Sequence, residues 1–161
     1  MTRPNSDEPF RAARWLALLT PAALLAGAYI SQYGFGLPPC EMCWWQRYAH
    51  FVALLLALLA FALPKRAVVA LAAAAIAAAG LIGGFHAGVE YGWWQGVTAC
   101  TAGTFAKGGD PLAAILAAPV IRCDVAPWSL FGISLAGWNF LFSGAAALAI
   151  AFLLARGRKS A

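Results

Sequence analysis

The chain has 161 residues, of which 63% are hydrophobic and only 11% are charged. Soluble globular proteins carry about 25% charged residues, so the composition excludes an ordinary soluble enzyme, and its high apolar content excludes a disordered chain. The net charge of +5 does not indicate a nucleic-acid-binding protein, because such a protein gathers its basic residues on one accessible face. The composition indicates a single integral membrane domain over residues 1–161.

Four charge-free stretches divide the chain, at residues 15–40, 48–64, 67–89 and 125–155. A helix needs about 20 apolar residues to cross the hydrocarbon core of a membrane. The stretches therefore predict four transmembrane helices, at about residues 15–32, 44–63, 68–89 and 130–154. Strands of a membrane barrel would alternate polar and apolar residues, and these stretches do not. The predicted fold class is an all-α membrane protein, a four-helix transmembrane bundle.

The first predicted helix has a second interpretation, as a cleaved signal peptide. Basic residues precede it, and Ala26, Gly27 and Ala28 resemble a cleavage site made of small residues. Apolar residues continue past this point, through Ile30 and Phe35, which favours a retained membrane anchor. Cleavage would leave the loops that follow in place.

The basic residues indicate how the helices are oriented. Eight of the eleven lie before the first helix, between the second and third helices, or after the fourth helix; the other three are Arg47, Lys107 and Arg122. Basic residues concentrate on the cytoplasmic side of membrane proteins. We therefore expect both termini in the cytoplasm and two extracytoplasmic loops, the second at about residues 90–129.

All four cysteines fall on the predicted extracytoplasmic side. Cys40 and Cys43 lie in the first loop or at the entry to the second helix, and Cys100 and Cys123 lie in the second loop. Disulfides form and persist in oxidising compartments outside the cytoplasm. The segregation of the cysteines therefore points to thiol–disulfide chemistry on that side of the membrane.

The first pair forms a Cys-x-x-Cys motif that follows two prolines, residues that can precede or open a helix. Free backbone N–H groups and the helix dipole stabilise a thiolate at a helix N-terminus. Arg47 lies one helical turn after Cys43, and its cation favours the thiolate further, whereas Glu41 opposes it. The motif therefore predicts a redox-active pair.

Disulfide formation releases two electrons, and the sequence has no nucleotide-binding or iron–sulfur motif to receive them. A lipid-soluble quinone is the simplest acceptor for a thiol pair beside a membrane. Trp44 and Trp45 are candidates to pack against its ring, and their other interpretation is an aromatic belt at the membrane interface.

Other interpretations of these residues stay open. Four cysteines can form a tetrahedral zinc site, although the spacing of Cys100 and Cys123 is unlike a zinc knuckle. That second pair can also form a purely structural disulfide. Arg47 can be a boundary residue whose side chain extends to the membrane surface. Covalent haem attachment is disfavoured, because no histidine follows the Cys-x-x-Cys motif.

The sequence resembles the DsbB family of bacterial inner-membrane disulfide bond formation proteins. The resemblance rests on the four predicted helices, one cysteine pair in each outer loop, Cys-x-x-Cys followed four residues later by Arg47, and the segment 123–134. It covers nearly the whole chain. It implies a thiol oxidase whose electrons pass to ubiquinone or menaquinone.

The resemblance also implies a role for each cysteine. Cys40 and Cys43 are the quinone-coupled pair, in which Cys43 engages the quinone ring with the assistance of Arg47. Cys100 forms a mixed disulfide with the partner, a periplasmic thioredoxin-like dithiol oxidase of the DsbA type. Cys123 is its loop mate and can pair transiently with Cys40.

Two other functions remain as alternatives. One is a quinone-linked bundle of the vitamin K epoxide reductase type, whose active motif opens the last core helix rather than the second. The other is a structural or transport bundle whose disulfides only hold its loops. His86 and Glu90, near the outer end of the third helix, are candidates for quinone protonation or solvated interface residues. Residues 110–116 are expected to form a short helix on the membrane surface.

Overall fold

Four long helices make up the fold in the computed structural model, which describes residues 8–98, 100 and 121–157. They are α1 (Glu8–Gly34), α2 (Glu41–Ala62), α3 (Arg66–Glu90) and α4 (Leu135–Arg156), and a short antiparallel hairpin, β1 (Ser129–Leu130) and β2 (Ile133–Ser134), precedes α4. Each helix is long and apolar enough to cross a membrane. The predicted helical membrane bundle is confirmed, while the expected helix at 110–116 lies outside the described residues.

Small side chains form the centre of the bundle. Its buried core consists largely of alanines from all four helices, with Val69, Ile76 and Ile150 among them. Without a hydrophobic driving force between helices in lipid, close van der Waals contact between small residues holds such bundles together. At Gly83 on α3, a Cβ atom would lie 2.9 Å from the Ala136 carbonyl oxygen of α4. The approach of α3 to α4 therefore requires glycine at that position.

Among the described residues, basic side chains of α1, α3 and α4 lie at one end of the bundle, whereas Arg47 and Arg122 lie at the other end. The Arg14 guanidinium of α1 stacks on the Phe61 ring near the end of α2, 4.3 Å from its centroid. Arg66, at the start of α3, donates hydrogen bonds to the carbonyl oxygens of Leu154 (2.8 Å) and Gly157 (3.0 Å) at the end of α4. The antiparallel helices place the cysteines at the opposite end. The predicted orientation, with the basic end in the cytoplasm, depends on this grouping. That orientation remains a prediction.

The start of α4 lies later than the sequence prediction, which placed it near residue 130, because α4 begins at Leu135. Phe131 and Gly132 have φ angles of 53° and 75°, the positive values of a type I′ hairpin turn. The chain therefore folds back on itself before the helix begins. The Ser134 hydroxyl then caps α4 by accepting a hydrogen bond from the Gly137 N–H at 3.1 Å.

The N-terminal ends of α1 and α2 were predicted too late in the chain. α1 begins at Glu8 instead of about residue 15, and α2 begins at Glu41 instead of about residue 44. Charged residues end a hydrophobic stretch but not a helix, because their side chains reach water from an exposed helical turn. For α1 and α2, the hydropathy pattern therefore predicted the apolar span of the helix and missed its polar first turns.

Candidate redox site

Cys40 and Cys43 lie where the chain enters α2. Gly36, with a φ of 67°, lies in the link that follows α1, and Cys40 is the N-cap residue of α2. The Cys40 Sγ accepts a hydrogen bond from the Cys43 N–H at 3.3 Å and lies 3.0 Å from the Cys43 Sγ. Both residues are free thiols. Only a small movement separates these two sulfurs from disulfide bonding distance.

The environment of Cys40 sets the proton arrangement of the pair. Its thiol donates a hydrogen bond to the Cys43 Sγ, and this bond, together with burial, raises the pKa of Cys40 above its usual value. Cys40 therefore keeps its proton and directs it at the Cys43 sulfur. This is the arrangement expected of a pair in which Cys43 acts as the nucleophile.

The second cysteine pair forms a disulfide between Cys100 and Cys123, with their Cα atoms 5.5 Å apart. The Thr98 hydroxyl lies 3.0 Å from the Cys100 Sγ and donates to the Cys123 Sγ at 3.4 Å. This disulfide packs in one apolar cluster with Cys40 and Cys43. The structure thus brings the four predicted site cysteines together, although they come from two separate loops of the sequence.

His86 on α3 connects the two pairs. Its Nε2 lies 3.5 Å from the Cys40 Sγ and 3.1 Å from the Cys123 carbonyl oxygen. A carbonyl oxygen only accepts, so Nε2 carries the proton. Glu90 lies one turn later, with its Oε1 3.7 Å from the same nitrogen. His86 is only 2% exposed, so its interpretation as a solvated interface residue is wrong.

A buried amide network extends from His86 toward the bundle centre. The Gln46 Nε2 donates to the His86 Nδ1 at 3.0 Å, and the Gln46 Oε1 accepts from the Asn139 Nδ2 at 2.8 Å. The Asn139 Oδ1 lies 2.8 Å from the His50 Nε2 and accepts from the Ser143 hydroxyl at 2.9 Å. The network links α2, α3 and α4 by bonds that lipid cannot replace.

The sequence prediction did not include Gln46, His50 or Asn139. A usable signal was present, because polar side chains inside transmembrane helices are uncommon and usually face the bundle interior. Gln46 and His50 are also four residues apart on α2, which places them on one helical face.

Arg47 points into the contact between α1 and α2. Its guanidinium donates to the Gln32 Oε1 (2.5 Å) and to the Ala28 carbonyl oxygen (3.1 Å). It also stacks on the rings of Tyr29 and Trp44, at 4.8 and 5.0 Å from their centroids. Arg47 is 6% exposed, and within the described part of the chain no carboxylate forms a salt bridge with it. This placement does not match a boundary residue that extends to the membrane surface.

A cavity of about 240 Å³ lies beside Cys43 and Arg47 and is lined by residues of all four helices. Its polar lining residues, besides these two, include Gln46, His50, His86, Glu90, Trp138 and Asn139, among mostly apolar neighbours. Pockets for drug-sized ligands measure about 300–1,000 Å³, so this cavity suits a small ring. Its tryptophan is Trp138 of α4; neither Trp44 nor Trp45, the candidates from the sequence, lines it.

The electrostatic surroundings of Cys123 include a pair of exposed charges. Arg122 forms a two-pronged ion pair with Asp124, with N–O distances of 2.9 and 2.7 Å. The hydrogen bonds and charge of Asp124 raise the pKa of Arg122. Exposed pairs of this kind contribute little to stability, and both residues adjoin Cys123 in the chain.

Among the described residues, Cys40, Cys43 and His86 form a group close enough together to hold a metal ion, since their ligand atoms lie within 4.8 Å of one another. A metal would require a bare His86 Nε2. In the observed network that nitrogen instead carries a proton toward the Cys123 carbonyl. The hydrogen bonding therefore favours thiol chemistry over metal binding at this position.

Comparisons with known proteins identify the family of this chain. Residues 10–153 match the family model "Disulfide bond formation protein DsbB". The chain is 35% identical to disulfide bond formation protein B of Azoarcus sp. (strain BH72) over 145 residues, which are 83% of this chain and 85% of that protein. It is 33% identical to the protein of that name from Verminephrobacter eiseniae (strain EF01-2) over 164 residues, 95% of this chain and 90% of that protein. No solved structure matches the chain. The resemblance inferred from the cysteine motif is confirmed, and this multi-pass membrane protein belongs to the DsbB family of disulfide bond formation proteins.

Proposed function

We propose that this protein is a quinone-dependent thiol oxidase of the bacterial inner membrane. It reoxidises a periplasmic DsbA-like dithiol oxidase and passes two electrons to ubiquinone or menaquinone. The observation that carries the proposal is the single buried cluster of both cysteine pairs, with Cys43 and Arg47 on the wall of the adjacent cavity. Membership of the DsbB family supports it.

The cavity has the chemistry that a quinone head group needs. Three buried polar atoms without a hydrogen-bond partner in the described structure belong to its lining residues: His50 Nδ1, Glu90 Oε2 and Trp138 Nε1. Each such atom costs about 1–3 kcal/mol when it stays unpaired. Residues that combine apolar walls with unpaired polar atoms fit an apolar ring that carries oxygen substituents. Cys43 and Arg47 would hold this ring on the cysteine side of the cavity.

Electrons move through the protein by thiol–disulfide exchange. A thiolate of the partner attacks the Cys100–Cys123 disulfide at Cys100, and the second partner thiol resolves the mixed disulfide, so the partner is oxidised and the loop pair is reduced. The loop thiols then reduce the Cys40–Cys43 disulfide, with Cys123 attacking Cys40. His86, which contacts the Cys40 Sγ and the Cys123 carbonyl, holds these two segments together.

The remaining step restores the first pair. Cys40 and Cys43 form their S–S bond and release two electrons and two protons, which a bound quinone accepts to become the quinol. The positively charged Arg47 on the cavity wall stabilises negative charge that develops next to Cys43. Each cycle therefore produces one disulfide in the partner and one quinol.

The same scheme sets the orientation in the membrane. We propose that the cysteine end faces the periplasm, where disulfides persist, and that the basic end with both termini faces the cytoplasm. The alternative is a structural or transport bundle in which the Cys100–Cys123 disulfide only holds a loop.

One experiment separates the two functions. Purified protein is mixed with a reduced DsbA-like oxidase and a short-chain ubiquinone, quinol formation is followed by absorbance, and alkylation with mass spectrometry gives the oxidation state of each cysteine. We expect quinol formation together with redox cycling of all four cysteines. Cysteines that keep their oxidation state while no quinol forms would establish the structural alternative.

Arg47→Ala should mainly impair use of the quinone. A hydrogen bond to a charged group contributes about 1.5–3 kcal/mol, so we expect the apparent KM for quinone to rise roughly 10- to 100-fold while the KM for the partner stays constant. The matched control is Arg156→Ala, which removes another arginine that stacks on an aromatic ring, Phe152, in α4. An unchanged quinone KM in the Arg47 variant would limit Arg47 to a packing role between α1 and α2.

A further inference from the structure

We propose that His50 and Trp138 form a second polar anchor for the quinone ring in the cavity, and that the two residues distinguish its redox states. Trp138 donates a hydrogen bond to an oxygen of the ring, and His50 accepts one from a hydroxyl that only the reduced ring carries. The proposal rests on the quinone-dependent function above. It assigns a ligand contact to two residues outside the set of cysteines and Arg47.

The proton position on His50 follows from its neighbours. The Asn139 Nδ2 donates to the Ala79 carbonyl oxygen at 3.0 Å and to the Gln46 Oε1 at 2.8 Å, which identifies it as the amide nitrogen. The Asn139 Oδ1 is therefore an acceptor, and the His50 Nε2, 2.8 Å away, must donate to it. In the neutral imidazole, the proton on Nε2 leaves Nδ1 as a bare acceptor.

Within the described protein, the His50 Nδ1 accepts no hydrogen bond. The His50 Nδ1 is buried without a hydrogen-bond partner, His50 is 3% exposed, and the residue lines the cavity. An apolar side chain would fill the same space without leaving a buried nitrogen unpaired. A ligand that brings a donor into the cavity removes this cost.

Trp138 presents the opposite chemistry. Its ring stacks on Phe142, with centroids 5.4 Å apart, and this contact orients the indole. The indole Nε1–H can only donate, is buried, and has no partner among the described residues. Trp138 lines the same cavity as His50 and adjoins Asn139, which holds His50. Besides the Glu90 Oε2, the residues that line the cavity therefore carry an unpaired donor at Trp138 and an unpaired acceptor at His50.

These two atoms match the two redox states of a quinone differently. The carbonyl oxygens of an oxidised quinone only accept, so they pair with the Trp138 N–H and leave the His50 Nδ1 unpaired. The hydroxyls of the quinol both donate and accept, so they pair with both residues. Loss of the His50 acceptor should therefore weaken binding of the quinol and spare binding of the quinone.

The test measures binding without turnover. Full-length protein with Cys40→Ser and Cys43→Ser, which lacks the thiols that would reduce the quinone, is titrated anaerobically in detergent with a short-chain ubiquinone and separately with its quinol. Calorimetry gives the dissociation constant of each form. The variants are His50→Phe, His50→Gln, which can keep both a donor and an acceptor, and Trp138→Phe. Trp45→Phe and Tyr48→Phe are controls on α2 that do not line the cavity.

We expect His50→Phe to raise the Kd of the quinol roughly 3- to 10-fold with less than about a 2-fold change for the quinone, and His50→Gln to restore quinol binding. Trp138→Phe should raise the Kd of the quinone by a similar factor, and it breaks no internal hydrogen bond that could unfold the protein. Equal effects of His50→Phe on both forms, or no effect of either cavity variant, would overturn the anchor while leaving the proposed function standing. Failure of the protein with Cys40 and Cys43 intact and oxidised to bind either form in the same titration would overturn both.

Discussion

Replacing Cys43 with serine should abolish quinone reduction, with a loss in turnover of at least about 1,000-fold, because the serine hydroxyl is a far weaker nucleophile than a thiolate and forms no disulfide. Cys43 is the cysteine on the cavity wall, and its sulfur lies 3.0 Å from that of Cys40. The substitution therefore removes both the contact with the quinone and the Cys40–Cys43 disulfide, which oxidises the loop thiols. The measurement is quinol formation with a reduced DsbA-like partner in excess.

The same variant should keep its reactivity toward the partner. In a single turnover, Cys43→Ser should still oxidise about one equivalent of reduced partner, because the Cys100–Cys123 disulfide is unchanged. Tyr48→Phe, an exposed position on the same helix, is the control and should turn over at the rate of the unmodified protein. Sustained quinol formation by Cys43→Ser would contradict the assigned order of the two pairs.

The helices and the cysteine motif were predictable from sequence because both depend on local information. Hydropathy identifies a stretch that can cross a membrane wherever the neighbouring helices lie. Cys-x-x-Cys after two prolines likewise predicted the entry to α2, and Cys40 is the N-cap there. The hairpin before α4 is also local, but the turn at Phe131 and Gly132 was hidden inside a continuous apolar stretch.

The rest of the candidate site depends on how the helices are rotated against one another. Gln46, Asn139 and His86 come from three different helices, and their contacts exist only after these helices pack. Hydropathy does not distinguish a tryptophan at the interface from one in a cavity, so Trp44 and Trp45 were candidates where the cavity contains Trp138. The burial of Arg47 was not predictable for the same reason, because it depends on contacts with Ala28 and Gln32 of α1.

Replacing Cys100 and Cys123 together with serine should have the complementary effect. The partner then meets no loop disulfide to attack, and its nearest alternative, the Cys40–Cys43 pair, contains a sulfur in a residue that is 6% exposed. We expect turnover with the reduced partner to fall at least about 100-fold, since exchange needs direct contact between the attacking and attacked sulfurs. Changing both residues prevents a leftover thiol from pairing with Cys40.

The oxidation of the first pair should survive this double substitution. Pre-reduced protein mixed with one equivalent of quinone should form the Cys40–Cys43 disulfide in a single turnover, detected by alkylation and mass spectrometry, because Cys43, Arg47 and the cavity are unchanged. Loss of this single turnover would mean that the loop disulfide also maintains the geometry around His86, whose Nε2 donates to the Cys123 carbonyl. Retained turnover with the partner would mean that the partner reaches Cys40 and Cys43 directly, which would contradict the two-step route. The paired results from Cys43→Ser and the double variant therefore test the direction of electron flow as well as the identity of the site.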